Sequence, residues 1–192
     1  MTKALAIAAV AGLAGTASAQ TLNITADVTS VGFGGTSNWT VSVTGITAAN
    51  YLQVYDFNMD ANDSTLGTAS TFATALSALV GPTAGSASGA SLLGASGGQS
   101  TLVDPLNAAF GDVVIGTFSV VAGNTEGTLS YSASDGGVLA ADIIRGRTGS
   151  DLGPIAFNGP AAVNSDSVRI TPTPASAALL GLGGLAAARR RR

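Results

Sequence analysis

Leu22-Asn23-Ile24-Thr25-Ala26-Asp27-Val28-Thr29 is followed, after Gly32-Phe33-Gly34-Gly35, by Asn38-Trp39-Thr40-Val41-Ser42-Val43-Thr44. In both runs apolar residues alternate with polar ones, the period of a strand with one face in a core and one in water. Leu22, Ile24, Ala26 and Val28 form one inner face, and Trp39, Val41 and Val43 form the other, until Gly45 breaks the pattern. Two such runs around a glycine-rich turn predict antiparallel pairing. Tyr51 to Asp60 continues the pattern, with Tyr51, Tyr55, Phe57 and Met59 on one side and Leu52, Val54, Asp56, Asn58 and Asp60 on the other. Because the second side turns acidic along its length, this strand is expected to leave the sheet near Asp56.

Further along, the period changes. Phe72, Leu76, Leu79 and Val80 have helical spacing within Thr71 to Val80, with Ser70 or Thr71 as cap and Gly81-Pro82 as stop, so a short helix is expected. Gly81 to Thr101 is rich in Gly, Ala and Ser and reads as a long surface loop. Val113 to Ala122 and Thr128 to Ala133, joined by Gly123-Asn124-Thr125-Glu126-Gly127, read as a β-hairpin with Leu129 and Tyr131 inward. Asp135-Gly136-Gly137 is a turn, Val138 to Ile144 a further strand, and Ile155 to Phe157 and Val168 to Ile170 are short strands. Seven to nine short strands predict an all-β fold, an antiparallel β-sandwich. On Leu22 to Met59 and Val113 to Ala133, the body resembles cohesin-like and carbohydrate-binding-module sandwiches, with a jelly roll as the other architecture; the resemblance carries no binding residues with it.

The composition removes whole chemistries. The 192 residues contain no cysteine and no histidine, and the only lysine is Lys3. Thiol nucleophiles, Ser-His-Asp triads, histidine-ligated zinc and lysine Schiff bases are excluded, as are disulfides and, after Lys3, lysine isopeptide cross-links. Between the terminal segments three basic residues, Arg145, Arg147 and Arg169, stand against eleven acidic ones, a formal charge of −8. Nucleic acid is not a partner for such a surface, because phosphate contacts need clustered cations.

The two ends read as processing segments. Met1 to Ala19 has Lys3 ahead of an apolar run, Ala4 to Ala14, and Ala17-Ser18-Ala19 before Gln20, the pattern of a secretory signal peptide with its signal helix. At the other end, Pro172-Thr173-Pro174 precedes the uncharged run Ala175 to Ala188 and then Arg189, Arg190, Arg191 and Arg192. A short hydrophobic helix over these fourteen residues is ~21 Å long, against ~30 Å of hydrocarbon, so it holds a membrane only transiently. The arginines place the body outside. This order of motif, apolar run and arginine cluster resembles the PEP-CTERM sorting signal, with Thr173 in place of the family's central glutamate. The resemblance implies an exosortase-type sorting enzyme as a partner, which removes the tail and releases or attaches the body. A permanent single-span anchor is the competing reading. The expected organisation is a signal peptide over 1–19, a sandwich domain over 20–171 with a loop near 81–101, and a sorting signal over 172–192.

Candidate sites within the body are sparse. Asp56, Asn58, Asp60, Asn62 and Asp63 begin like a calcium loop, although Ala61 stands at the turn glycine and Gly67 at the bidentate glutamate; a solvated strand end and turn is the favoured reading, so no cofactor is expected, with calcium as the alternative. Trp39 and Tyr55, with Tyr51 and Tyr131, offer rings for sugar stacking, against a core role that their alternation favours. Asp60 paired with Asp112 or Glu126 is the candidate for glycoside hydrolysis. Arg145-Gly146-Arg147 reads as a solvated turn or an anion grip, and Asn23, Asn38 and Asn62 begin N-x-S/T sequons. The expectation is an exported, non-catalytic component of the cell envelope, cell surface or extracellular matrix. The alternatives are a carbohydrate-binding module for extracellular polysaccharide and, third, a secreted glycoside hydrolase.

Overall fold

A computed structural model of the chain describes residues 21–46, 51–76, 80–98, 111–137, 144–147, 154–155 and 162–173. The signal helix, the C-terminal hydrophobic helix with Arg189 to Arg192, Val138 to Ile143 of the expected later strand, and Ala156-Phe157 of the short strand expected from Ile155 lie outside the described residues. The strands are β1 (Thr21–Ala26), β2 (Ser30–Gly32), β3 (Thr36–Ile46), β4 (Tyr51–Ala61), β5 (Gly67–Ala69), β6 (Ala73–Thr74), β7 (Val80–Ser88), β8 (Ser91–Gly98), β9 (Gly111–Ala122), β10 (Gly127–Asp135), β11 (Ile144–Arg147), β12 (Pro154–Ile155), β13 (Ala162–Ser165) and β14 (Ser167–Thr171).

They form two sheets. The first has the order β13-β1-β3-β9-β5, with β6 beside β5 on the same edge of β9. In the second, β12-β11-β4-β10-β14-β2 is extended by β8 on the opposite edge of β4, and β7 lies outside β8. Leu22 and Ile24 pair with Val43 and Val41 in the expected antiparallel register, which places both inner faces on one core. From the second sheet Tyr55, Phe57, Met59, Leu129, Tyr131, Val168 and Ile170 meet them, all buried. Trp39 sits at the centre, stacked on Phe118 at 6.3 Å and edge-on to Tyr131 at 4.8 Å. Its indole N–H donates to Ser37 Oγ at 3.0 Å, so its one polar atom is satisfied inside.

Four expectations need correction. The expected β9–β10 hairpin does not form, because β9 belongs to the first sheet and β10 to the second. The four-residue connection, Gly123 to Glu126, crosses the ~10 Å between facing sheets, so that Phe118 and Tyr131 meet edge to face across the core at 5.2 Å. Alternation shows that both strands point inward; it does not distinguish a neighbour beside from a neighbour across.

Thr71 to Leu76 is not helical, and Val80 already belongs to β7. The backbone there is committed to other strands: Phe72 N–H donates to Ala84 O and Ala75 N–H to Ile115 O. Tertiary packing decides the conformation, with Phe72 against Tyr55 and Phe57 at 5.8 and 5.3 Å.

Gly81 to Gly98 is no loop but most of a hairpin, β7–β8, turned by Gly89 and Ala90. Gly89 has φ 60°, which L side chains disfavour, and a Cβ there would overlap the Ser64 carbonyl. Small side chains allow this close approach, and composition alone hides the strands. Lastly, β4 does not emerge at Asp56: it stays paired to Ala61, and Asp56 itself is fully buried.

Candidate functional site

The acidic run Asp56 to Asp63 spans the second half of β4 and the turn after it. Asp56, Asn58 and Asp60 share the outward side of the strand, spaced by ~6.6 Å per two residues, and each is engaged in a different direction. Asp56 is covered: its backbone carbonyl accepts from Gly136 N–H at 3.3 Å, and a Cβ on Gly136 would overlap its carboxylate. Its register partner Ser96 is equally buried and bonds Thr83 through the two hydroxyls.

Asn58 ties three strands together. Its Oδ1 accepts from Gly94 N–H at 2.8 Å and its Nδ2 donates to Asp135 O at 2.8 Å. The Gly94 N–H needs this acceptor because β8 carries an irregularity there, the register with β4 shifting between Phe57 and Met59. Replacing Asn58 with leucine, of similar size, leaves the part-buried Gly94 N–H unsatisfied, a cost of about 1–3 kcal/mol, while the carbonyl of exposed Asp135 turns to water. The expected result is a lower unfolding midpoint in urea and faster exchange of the Gly94 amide; unchanged exchange would contradict the role assigned to Asn58.

The remaining members also serve the backbone. Asp60 accepts from Ser134 Oγ at 2.5 Å. Asn62 donates to Thr128 O and accepts from Ser130 N–H, both at 2.9 Å, standing in for the next rung of the ladder with β10. Asp63 caps the 3-10 turn Ser64–Leu66, accepting from Thr65 N–H and Oγ1, and these bonds hold its carboxyl below the usual range. Among the described residues no group of three or more acidic side chains is placed to hold a metal ion.

Trp39 and Tyr55 lie in the core at 0% and 1% exposure, with no ring face open to a sugar. Tyr131 is buried as well, its hydroxyl donating to Ala90 O at 2.7 Å. Asp60 and Asp112 are on different sheets, each on the side away from the core. Glu126 makes an exposed ion pair with Arg169 at 3.3 Å. The three carboxylates do not converge. Arg145 and Arg147 lie on β11, in register with Val54 and Tyr51 of β4. Of the sequon asparagines, Asn38 is held by Asp27, which accepts from its N–H at 2.8 Å and its Nδ2 at 2.7 Å. Those two bonds keep the Asp27 carboxyl below its ordinary value.

Burial raises the phenol pKa values of Tyr131 and, less strongly, Tyr55, where the Thr74 hydroxyl partly offsets it. Since folded values lie above the unfolded value of ~10, the stability these groups contribute is complete below pH ~10 and is lost as pH rises past it. Alkaline unfolding is therefore expected to begin above pH ~10 and to move upward in Tyr131→Phe, followed by circular dichroism. A midpoint that does not move would contradict the assignment.

The feature not singled out from sequence is the outer face of the first sheet. Cross-strand rows run Asn164-Asn23-Ser42-Val114, Thr25-Thr40-Thr117, Asn38-Ser119 and Thr36-Val121. Amides link the first rows: Asn164 Nδ2 donates to Asn23 Oδ1, and Asn23 Nδ2 to Thr44 Oγ1. No charged residue stands within the first two rows or the last; the Asp27 carboxylate bonds the Asn38 end of the third row, and Asp112 points outward from β9 beyond Val114. Val114 and Val121 are 44% and 48% exposed. The signal lay in the polar half of the opening alternation, which lacks charge along both Asn23-Thr25 and Asn38-Thr40-Ser42-Thr44.

No family model matches the chain, and no curated protein sequence does. Solved structures do. The seventh ScaB type I cohesin from Pseudobacteroides cellulosolvens superposes with TM-score 0.55 at 11% identity, over 79% of this chain and 93% of that one. CaCohA2 from Clostridium acetobutylicum gives 0.51 at 10% identity, over 80% and 91%. A chain of the CaDoc0917–CaCohA2 complex gives 0.52 at 12% identity, over 80% and 99%. At such identities the likeness is one of fold: the body is a cohesin-like sandwich of two curled sheets.

Proposed function

We propose that this protein is an exported, non-enzymatic interaction module of the cell envelope or extracellular matrix, delivered through its C-terminal sorting tail. The observation that carries the reading is the uncharged centre of the outer face of β1, β3 and β9, bordered by Asp27 and Asp112, on an otherwise acidic, cohesin-like body. Carboxylates elsewhere on the chain repel like-charged surfaces, whereas these rows of hydroxyls, amides and two open valines present contact area free of that penalty. The cohesin-like fold supports a binding role, since one of the matching structures is itself a protein complex.

Delivery follows from the ends. The signal peptide is removed after Ala19, the apolar run from Ala175 holds the chain in the membrane briefly, and an exosortase-type enzyme acts near Pro172-Thr173-Pro174. Intact mass of the protein recovered from its host tests this. The expected mass lacks Met1 to Ala19 and Arg189 to Arg192; a product retaining the four arginines would sink the sorting reading.

The alternative of a carbohydrate-binding module is disfavoured by the burial of Trp39, Tyr55 and Tyr131. A glycan array decides between the two. Tight binding to a polysaccharide, with a fold confirmed by circular dichroism, would transfer the assignment to that module.

A further inference from the structure

Pro172 and Thr173, the first two residues of the sorting motif, do not hang from the body on a linker. β14 runs to Thr171, paired in parallel with β2 through Arg169↔Ser30, Ile170↔Val31 and Thr171↔Gly32. Phe33 N–H donates to Thr171 O at 2.9 Å, the last ladder bond before Pro172. Thr173, the central residue of Pro172-Thr173-Pro174, is half-buried against β2: a Cβ built on Gly32 would lie 2.6 Å from its γ-methyl. The glycine leaves the space that this threonine fills. Only Pro172 to Pro174 separate β14 from the apolar run at Ala175, a reach of at most ~10 Å.

Peptide-binding sites commonly take an extended segment as an added strand, using its backbone N–H and C=O groups. The backbone of Thr171 and the side chain of Thr173 are already used by β2. A membrane-embedded protease therefore meets the first half of the motif as part of the folded body. Three residues are too short to carry the motif into the bilayer while β14 stays paired. Release of Thr171 to Thr173 from β2 is a local opening at the end of a short edge pairing, which costs far less than global unfolding.

We propose that the β2–β14 pairing controls processing of the tail: the peptide bond near the motif is cleaved only after Thr171 to Thr173 peel away from Gly32 and Phe33. This rests on the sorting reading given above. In the cleavage itself one amide C–N bond breaks; its carbonyl carbon takes the oxygen of water, or the nucleophilic atom of an acceptor amine or hydroxyl. Its nitrogen leaves on the tail as the amine.

The absence of cysteine from the chain makes a direct test available. Ser30→Cys with Arg169→Cys places two thiols on adjacent, exposed register positions, where an oxidising exterior closes a disulfide across β2 and β14. Gly32→Ala acts in the opposite direction, displacing the Thr173 side chain through its flexible end. Full-length chains are expressed in the native host, and the tail is followed by pulse-chase and intact mass.

The expected results are processing at least tenfold slower for the oxidised pair, recovery to within twofold of wild type on reduction, and processing at least twofold faster for Gly32→Ala. Oxidised pair processed at the wild-type rate would overturn the inference and leave the sorting reading standing. A wild-type chain that keeps Arg189 to Arg192 would overturn the sorting reading and this inference with it. Should the cysteine pair fail to fold by Trp39 fluorescence, Gly32→Ala decides alone: faster processing supports the control, and an unchanged rate overturns it.

Discussion

Trp39→Ala is expected to lower the stability of the body by about 3–5 kcal/mol, a large part of the 5–15 kcal/mol typical of a domain. Trp39 has no exposure and is shared by both sheets, through Phe118 of the first and Tyr131 of the second. Truncation removes the indole's apolar contacts, opens a cavity between the sheets, and leaves Ser37 Oγ without the donor it now accepts from. Without disulfides to hold the denatured chain together, the full loss is expected to appear in the equilibrium. A urea titration followed by circular dichroism measures it. A midpoint within ~0.5 kcal/mol of wild type would mean that Trp39 is not the centre of the core. Trp39→Phe, which keeps a ring between Phe118 and Tyr131, is expected to cost less.

The second large effect is expected at Gly116. The register of β3 with β9 shifts between Val41 and Ser42, whose partners are Gly116 and Val114, so Ile115 is an extra residue in β9. Opposite this bulge β6 closes the sheet edge, with Thr74 paired to Gly116. A Cβ on Gly116 would overlap the Ala73 carbonyl and stand 2.5 and 2.6 Å from two atoms of the Phe72 ring. Backbone cannot yield cheaply there, so Gly116→Val must push β6 from the edge and Phe72 from its contacts with Tyr55 and Phe57. The expected loss is about 3 kcal/mol or more, from overpacking together with the exposure of a buried ring. Since the clash begins at Cβ, Gly116→Ala is expected to retain most of the effect. A neutral alanine variant would contradict the packing described for Phe72. In a Phe72→Ala background the cost of Gly116→Ala should shrink, because the two changes share one contact.

The opening strands were legible because one face of each packs on the core, and a strict period of two then fixes orientation: Leu22, Ile24, Trp39, Val41 and Val43 are buried, with Ala26 and Val28 partly so. β9 was legible as a strand but not as a bulged one, since Val113 and Ile115 are buried in one phase and Phe118, Val120 and Ala122 in the other. Gly116 is the visible trace of that change. β8 has a comparable irregularity, where Gly94 at φ 69° shifts the inward residues from Ala95 to Leu92. In both strands a period-two template loses phase, and in β8 small side chains remove the remaining contrast. Which sheet β10 joins was not legible, because Leu129 and Tyr131 look inward whichever wall they occupy.

At the candidate sites, the residue types were read correctly and their surroundings were not. Asp60, Asn62 and Asp63 have the spacing of a calcium loop, yet their oxygens accept from Ser134, Ser130 and Thr65. For Asp60 and Asn62 the donors come from cross-strand partners 74 and 68 residues away, of which local pattern holds no trace; only the Asp63 cap, two residues from Thr65, is local. The outer face of the first sheet was written in plain alternation; its significance depends on β1, β3 and β9 being neighbours, which only the register shows.

The fraction of the protein that sediments with the extracellular matrix, in wild type and in Thr25→Glu/Thr117→Glu, tests the proposed role of this face most directly. The two threonines are exposed and flank Thr40 in one cross-strand row, so the double change places negative charge at the uncharged centre of this face while the core is untouched. Unfolding midpoints are expected to stay within about 1 kcal/mol, as for surface substitutions. The account predicts that wild type sediments with the matrix and that the variant, equally well folded and exported, passes to the medium. A variant that sediments as wild type does would contradict it.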